Sequence, residues 1–342
     1  MLVSIVLVVV GFLFLIKGAD FLVEGSSAVA KRFKIPEMII GLTIVAMGTS
    51  MPELVVSLTS ALEGHSDIAL GNVVGSNIAN ILLILGICAL MKEINIPKAT
   101  RRIENPLCLI VTVILFVLCL NGGVNKVISQ KEGLFLLLLF AGYLIYLFIS
   151  ARKKGENKNV KSISSFDNTG ETVENIKKEL DRNKENINSN KNFIVNFFKI
   201  IIGIVALKFG ADFVVDNAVN IAQIIGISEK IIGVTIIAVG TSLPELVSSV
   251  TAVAKGENDM AVGNIVGSNI FNILLILGIS SSICPINYSL SYNFDMIYLI
   301  ITGALLAIFP YIGKGTRALD RAEGVIFVLM YLAYIVCLLW VI

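Results

Sequence analysis

The chain contains one long segment twice, and this duplication constrains the fold more than any other feature. Residues 41–87 and 233–279 align without a gap at an offset of 233 − 41 = 192, and 31 of the 47 aligned positions are identical. The same offset relates the Gly-Ala-Asp triplets at 18–20 and 210–212. Two distant copies do not form a solenoid, which stacks three or more short units. We therefore predict two structurally related halves.

The composition places both halves in a membrane. Hydrophobic residues make up 56% of the chain and charged residues 15%, with a mean hydropathy of +0.87. The apolar runs are continuous and about 20 residues long, which predicts membrane-spanning α-helices rather than alternating β-strands. The sequence thus predicts an all-α integral membrane protein with ten transmembrane helices. The predicted spans are 2–22, 38–62, 68–90, 105–121, 132–150, 194–215, 230–254, 260–283, 293–309 and 322–342.

The distribution of Lys and Arg between the loops predicts the orientation. Basic residues concentrate in the loops after the first, third, fifth and ninth spans and are sparse in most of the others. Because basic loops stay in the cytoplasm, we expect both termini outside a multi-pass plasma-membrane protein. Five helices per half would insert the second repeat upside down relative to the first. The predicted units are a first repeat (1–150), a polar cytoplasmic linker (151–192, with a weak helical pattern near 171–182) and an inverted second repeat (193–342).

Each repeat carries one glutamate inside an apolar span, Glu53 and Glu245. An ionised carboxylate at that depth costs at least a few kcal/mol unless it is paired. The duplication predicts that the two carboxylates converge near the membrane midplane. Two carboxylates placed close together repel unless a cation lies between them.

The residues around each glutamate supply further oxygen ligands. A proline directly precedes each glutamate and removes one backbone N–H, so we expect freed carbonyls around 46–48 and 238–240. On each helix a threonine lies four residues before the glutamate and shares its face, and a serine follows that threonine. The next span of each repeat carries a polar stripe, for which we favour a direct ligand role at four positions: Ser76, Asn80, Ser268 and Asn272. For Asn72, Asn77, Asn264 and Asn269, a ligand role and simple interhelical hydrogen bonding remain equally open.

This ligand inventory contains oxygen alone. The single histidine, His65, lies in a predicted loop, and the five cysteines show no metal-ligand spacing. Such a set excludes a soft-metal site and fits Ca²⁺, which takes six to eight oxygens, or Na⁺. Two glutamates neutralise one Ca²⁺.

The motifs GTSMPE and GTSLPE, followed by GNVVGSNIAN and GNIVGSNIFN, resemble the α-repeats of the sodium/calcium exchanger family within the cation/Ca²⁺ exchanger superfamily, of the prokaryotic type. The resemblance covers nearly everything except the linker. It implies Na⁺-driven Ca²⁺ antiport by alternating access, with helices 1 and 6 sliding against the other eight. It places Ca²⁺ between Glu53 and Glu245 with Thr49 and Thr241 beside it. It also implies Na⁺ or shared sites that use Ala46, Ser50, Ser76, Ala238, Ser242 and Ser268.

Positions 80 and 272 bear on potassium. Asn80 matches the usual residue of the family, whereas exchangers that also carry K⁺ have Asp at the position of Asn272. Asn272 therefore favours K⁺-independent exchange, although some K⁺-independent members also have Asp there. We expect both asparagines to contribute oxygens to the Na⁺ or shared sites.

Other functions remain to be weighed against this interpretation. A proton-driven Ca²⁺ antiporter could use the same glutamates as proton carriers, and a cation channel is a weaker alternative because it needs a continuous polar pore. No nucleophile–base arrangement stands in a span, so we do not expect an enzyme. The net charge of +2 reflects cytoplasmic loops and does not indicate nucleic-acid binding. We expect a monomer in the lipid bilayer that transports Ca²⁺ and Na⁺ and holds no cofactor.

Overall fold

The structure is a computed structural model that describes residues 1–121, 127–163, 172–226, 238–312 and 318–341. The described chain is almost entirely helical, as predicted. The helices are α1 (Leu2–Phe33), α2 (Glu37–Ile40), α3 (Ala46–Thr49), α4 (Met51–Leu62), α5 (Ser66–Ile78), α6 (Leu85–Met91), α7 (Lys98–Arg102), α8 (Glu104–Asn121), α9 (Gln130–Ile163), α10 (Thr172–Ile224), α11 (Ala238–Gly240), α12 (Leu243–Ala254), α13 (Asn258–Phe271), α14 (Gly278–Ile283), α15 (Asn293–Ile308) and α16 (Arg321–Val341). Three π-helical segments, Gly41–Val45, Ala79–Ile84 and Asn272–Leu277, and two 3₁₀ turns, Leu290–Tyr292 and Phe309–Tyr311, join some of them.

The helices form a membrane-type bundle. Within the described ranges, eight helices are long and apolar enough to cross a bilayer, and the bent pair Glu37–Thr49 and Met51–Leu62 adds a ninth candidate. The peripheral helices expose large apolar side chains such as Leu138, Ile145 and Phe148 on α9. In water such a surface would be costly, whereas lipid is its natural solvent.

Two predicted spans differ from the observed helices in length. The first runs to Phe33 instead of residue 22, and the sixth runs to Ile224 instead of residue 215. The helix α1 continues because its polar residues find partners on neighbouring elements; Glu24, for example, pairs with Lys199 at 3.1 Å. Of the predicted seventh span (230–254), the described part comprises α11 and α12, and 227–237 lie outside the described residues.

The segment predicted as a polar linker is more helical than expected. The helix α9 extends to Ile163 and α10 begins at Thr172, whereas the sequence indicated only a weak helical pattern near 171–182. Lys, Glu and Asn fill this segment, and the first two are good helix formers even without an apolar face. Residues 164–171 of the predicted linker lie outside the described residues.

Two short antiparallel ribbons connect the halves. The strand β1 (Ile94–Asn95) pairs with β4 (Ala318–Leu319), and β2 (Val127–Ile128) pairs with β3 (Ile286–Asn287). The repeat offset relates β1 to β3 (286 − 94 = 192) and β2 to β4 (319 − 127 = 192). Each ribbon therefore contains one strand from each half, in equivalent positions.

The helices α1 and α10 form a closely packed pair at the edge of the bundle, and each makes its most extensive contacts with the other. Glycines permit the close approach: a Cβ at Gly18 would lie 2.9 Å from the carbonyl oxygen of Gly203. The centre of the bundle consists of the segments Ile68–Met91 and Asn258–Ile283. In the apolar stretch of each segment, 78% and 89% of the residues, respectively, are buried. These two segments support the polar residues described below.

We expect Gly18→Ala to destabilise the protein, because the new methyl group would overlap the Gly203 carbonyl and force the two helices apart. Overpacking of this kind lowers the free energy of unfolding by about 1–3 kcal/mol. Gly142→Ala is the matched control, since a Cβ there meets nothing within 4 Å. Thermal unfolding followed by circular dichroism in detergent measures both; equal melting temperatures would contradict the proposed packing of α1 on α10.

Candidate functional site

A break in the helix precedes each glutamate. Ser50 lies between α3 and α4 with φ −84° and ψ 9°, and Ser242 lies between α11 and α12 with φ −88° and ψ 6°. The chain bends by 48° at the first break. Proline is favourable in the first turn of a helix, where its missing N–H is not needed, so Pro52 and Pro244 start new helices. Glu53 and Glu245 thereby occupy the first turns of α4 and α12, where the helix dipole favours a negative charge.

Both glutamates are buried, each with 1% of its surface exposed. The two repeats meet at these residues, because the Ser50 hydroxyl of the first repeat donates a hydrogen bond to Glu245 Oε1 of the second at 2.8 Å. Ser50 is three residues before Glu53, so the two acidic helix starts share one polar layer. This arrangement confirms that the duplicated motifs converge inside the bundle.

The asparagine Asn264 holds the neighbouring threonine. Its amide group donates to the Ser248 and Ser249 hydroxyls at 3.0 and 2.9 Å, and its Oδ1 accepts from the Thr49 hydroxyl at 3.1 Å. The equivalent Asn72 accepts from Thr241 at 3.4 Å.

Asn72 also donates to the Ser57 hydroxyl at 2.9 Å and to the Glu53 carbonyl at 3.3 Å. Asn72 and Asn264 therefore act as interhelical clamps that position the threonines. The sequence analysis did not single out Ser57, Ser248 and Ser249; their spacing of three to four residues from the glutamates was the available signal.

A second group of asparagines joins the two central segments. The Asn77 amide donates to the Asn269 carbonyl at 3.2 Å, and the Asn272 amide donates to Asn77 Oδ1 at 3.0 Å. The Asn80 amide lies 3.4 Å from Asn269 Oδ1. These bonds use the amide N–H groups of Asn80 and Asn272 and leave their carbonyl oxygens available.

Seven buried side-chain oxygens of this layer have no hydrogen-bond partner among the described residues. Each such oxygen costs about 1–3 kcal/mol if nothing compensates it, so a cluster of them indicates a missing electropositive partner. All seven belong to residues that the sequence predicted as ligands. The oxygens are Glu53 Oε2, Glu245 Oε2, Ser76 Oγ, Ser242 Oγ, Ser268 Oγ, Asn80 Oδ1 and Asn272 Oδ1.

The π-helical segments explain the placement of the two asparagines. Asn80 lies in the first turn of Ala79–Ile84, and Asn272 opens Asn272–Leu277. A π turn inserts one extra residue and rotates the following side chains around the helix, and such turns are frequent at functional sites. The sequence showed the asparagines but contained no recognisable signal for the π turns.

The backbone carbonyls differ from the prediction. The carbonyl of Ala46 is not freed by the break, because it accepts the Ser50 N–H at 3.0 Å while α3 continues to Thr49. In the second repeat the Ser242 N–H instead bonds the Val239 carbonyl at 3.1 Å, one residue later than the corresponding bond to Ala46. Ala238 begins α11 at the edge of the described residues.

We expect Asn264→Ala to destabilise the fold by about 1–3 kcal/mol, because it leaves the Ser249 hydroxyl without its buried partner and removes one hydrogen bond each from the Thr49 and Ser248 hydroxyls. Asn217→Ala is the control, since the Asn217 amide bonds a carbonyl of its own helix, that of Phe213, at 2.8 Å. Thermal unfolding in detergent without added Ca²⁺ compares the two. Similar decreases in melting temperature for both variants would show that the hydrogen bonds of Asn264 are not important for stability.

Comparison with known proteins identifies the family of the chain. The model of the family "Sodium/calcium exchanger protein" matches residues 3–149 and 195–340. The chain is 34% identical to the sodium/calcium exchanger MaX1 of Methanosarcina acetivorans, covering 99% of each chain, and 36% identical to the putative antiporter CaxA of Alkalimonas amylolytica, covering 98% of each. It is also 35% identical to the inner membrane protein YrbG of Escherichia coli K12, over 99% of this chain and 98% of that one.

Solved structures show the same fold. The structure of the sodium-calcium exchanger NCX_Mj soaked with 10 mM Na⁺ and zero Ca²⁺ superimposes with a TM-score of 0.78 at 29% identity, covering 98% of each chain. A structure of the same exchanger soaked with 2.5 mM Na⁺ and 0.1 mM Ca²⁺ superimposes with a TM-score of 0.76 at 28% identity over 98% of each chain. Together with the family match over both halves, these similarities show that the chain is a multi-pass membrane protein of the sodium/calcium exchanger family.

Proposed function

We propose that this protein exchanges Na⁺ for Ca²⁺ across the membrane by alternating access. Ca²⁺ lies between Glu53 and Glu245, with Thr49 and Thr241 beside it. The observation that carries the proposal is the cluster of seven buried oxygens without partners, which includes one oxygen of each glutamate. The remaining predicted ligands serve Na⁺ or are shared between the ions: Ala46, Ser50, Ser76, Asn80, Ala238, Ser242, Ser268 and Asn272.

The donor chemistry supports a hard cation. Carboxylate, amide and hydroxyl oxygens suit Ca²⁺ and Na⁺, and two carboxylates balance the charge of one Ca²⁺. Within the described ranges, no group of three or more His, Cys, Asp or Glu residues lies together in a metal-binding arrangement. The site therefore has a formal charge of −2, and we propose that exchange does not need K⁺, which would add a charge without a counter-charge.

The proposed architecture is two inverted repeats of five membrane helices each. The repeat-related strands pair crosswise, β1 with β4 and β2 with β3, so the loops of spans 3–4 and 9–10 share one side and those of spans 4–5 and 8–9 share another. An odd number of helices per repeat produces this pattern. With basic loops in the cytoplasm, the termini lie outside and 151–192 lie inside.

Proton coupling is the second candidate. Buried carboxylates without a basic partner can bind a proton in place of a cation, so the same glutamates could serve a Ca²⁺/H⁺ antiporter. The hydroxyls around them favour Na⁺, because a proton needs no further oxygen ligands.

The glutamate variants Glu53→Gln and Glu245→Gln test the site. Each removes one of two charges that face a divalent ion, so we expect Ca²⁺ transport to fall to background. Each also removes the cost of burying a charge, so the melting temperature without ions holds or rises. Glu93→Gln, an exposed carboxylate in the loop before α7, is the control for transport. Robust Ca²⁺ uptake by either purified glutamate variant would refute the site assignment.

Uptake of ⁴⁵Ca²⁺ into proteoliposomes separates the candidate couplings. We expect a Na⁺ gradient to drive uptake in K⁺-free buffer and a proton gradient of the same size to drive little. Calorimetric Ca²⁺ titrations should show affinity falling with rising Na⁺, because both ions use the same oxygens. Uptake driven by protons alone would favour the second candidate. A strict K⁺ requirement would show that the site has a further ligand in addition to the two glutamates that give it a formal charge of −2.

A further inference from the structure

We infer that Lys255 and Lys31 form a one-sided ionic latch, which fastens the α1–α10 pair to the bundle on the predicted cytoplasmic side and has no equivalent among the outer-side residues that the structure describes. This inference rests on the proposed function, because a latch has meaning only if the protein alternates between states open to either side. It assigns a role to charges outside the candidate site.

The first part of the latch is Lys255, in the loop that follows α12. Its ammonium lies 2.9 Å from Asp20 Oδ1 and 3.0 Å from Glu24 Oε1, both on α1. Glu24 also bonds Lys199 of α10 at 3.1 Å, so one carboxylate links the helix pair to the bundle. Burial lowers the pKa of Lys255, but its bonds to Asp20 and Glu24 outweigh burial and hold the pKa above its ordinary value. The ammonium therefore keeps its charge throughout the neutral pH range.

The second part surrounds Lys31, at the end of α1. Its ammonium lies 3.1 Å from Glu257 Oε1, before α13, and 3.7 Å from Glu37 Oε1, on α2. The Ser27 hydroxyl of α1 lies 2.7 Å from the same Glu257 oxygen and 3.2 Å from Glu37 Oε1. Lys31 and Ser27 thus connect α1 to two elements of the bundle at once. Glu257 is the main ionic partner of Lys31: it is partly buried, with 19% of its side-chain surface exposed, and it makes the shorter contact.

Because the sequence is repeated, each latch residue can be compared with the equivalent residue on the outer side. By the offset of 192, Lys255 corresponds to Glu63, Asp20 to Asp212 and Glu24 to Asp216. On the outer side an acidic residue therefore stands where the latch has its lysine, and the carboxylates that would receive it are retained. Asp212 bonds Lys208 of its own helix at 2.6 Å instead.

This difference biases the two states of the transporter. Closing the cytoplasmic side forms attractive ion pairs, whereas closing the outer side brings Glu63 toward Asp212 and Asp216 with the same sign of charge. A conformational equilibrium shifts only through contacts that differ between its states. Here the contacts on the cytoplasmic side are attractive and those on the outer side are repulsive. The charges therefore favour the state that is closed to the cytoplasm. Lys31 reinforces the bias, because its counterpart by the same offset is the neutral Gln223.

Hydrogen–deuterium exchange on the purified, ion-free protein tests the latch. We expect Lys255→Glu to speed amide exchange at 24–34 and 250–257 by about fivefold, since a partly exposed ion pair shifts the open-to-closed ratio by up to about this factor and the reversed charge removes two such pairs. Glu63→Lys should have the opposite effect on its own side and slow exchange at 58–65 and 212–224. Lys98→Glu, the same charge change on the exposed first residue of α7, should alter neither region.

Charge-swap rescue separates a latch from a general structural role. Combining Lys255→Glu with Asp20→Lys restores an opposite charge across the same gap while keeping the Glu24–Lys199 pair, and should slow exchange at 250–257 relative to Lys255→Glu alone. Lys255→Met provides a second variant if the reversed charge prevents folding, and it should also speed exchange. Unchanged exchange in both Lys255 variants, or a Glu63→Lys variant without added protection, would overturn the latch. These readouts need no ion flux, so they judge the latch even if wild-type proteoliposomes show no Na⁺-driven uptake and the proposed function fails.

Discussion

The burial of Glu53 and Glu245 is the constraint on which the rest of the structure depends. Neither carboxylate can keep its charge inside an apolar bundle without compensation, and compensation shapes the surrounding residues. The helix breaks at Ser50 and Ser242 place each carboxylate at a helix start, where the dipole helps. In the proposed function, a cation completes the compensation. Binding of the transported ion and stability of the polar layer are therefore parts of the same electrostatic problem.

A rigid frame holds this layer in place. The side-chain amides of Asn264 and Asn72 are bonded to serines, threonines and one backbone carbonyl, so they hold the helices around the site together. The α1–α10 pair, by contrast, contacts the bundle partly through the long side chains of Lys31 and Lys255, on the predicted cytoplasmic side. Such contacts break and re-form at modest cost, whereas the asparagine network does not. The polar layer is thus held rigidly, whereas the contacts between the α1–α10 pair and the bundle can change.

Much of the candidate site could be predicted because each of its residue patterns occurs twice in the sequence. The paired glutamates, the threonines beside them and the oxygens of Ser76, Ser268, Asn80 and Asn272 were all predicted from equivalent positions in the two repeats. The π turns at Asn80 and Asn272 did not, since no residue pattern distinguishes an extra helical residue from an ordinary turn. The carbonyl of Ala46 is bonded because α3 continues and Ser50, four residues later, donates its N–H to it. The length of α1, by contrast, depended on partners such as Lys199 that lie far away in the sequence. The ion pairs of Lys255 could not be predicted, because a single lysine in the loop between spans 7 and 8 says little by itself and has no basic counterpart in the other repeat.

The most direct test of the central claim is the position of a bound cation. Crystals of the protein soaked in Sr²⁺, a heavier analogue of Ca²⁺, would be measured for anomalous scattering. The account predicts one strong peak between Glu53 and Glu245, within about 2.3–2.8 Å of a carboxylate oxygen of each, as hard divalent cations bind carboxylates. A strong peak elsewhere, with the two glutamates contacting only protein atoms, would contradict it.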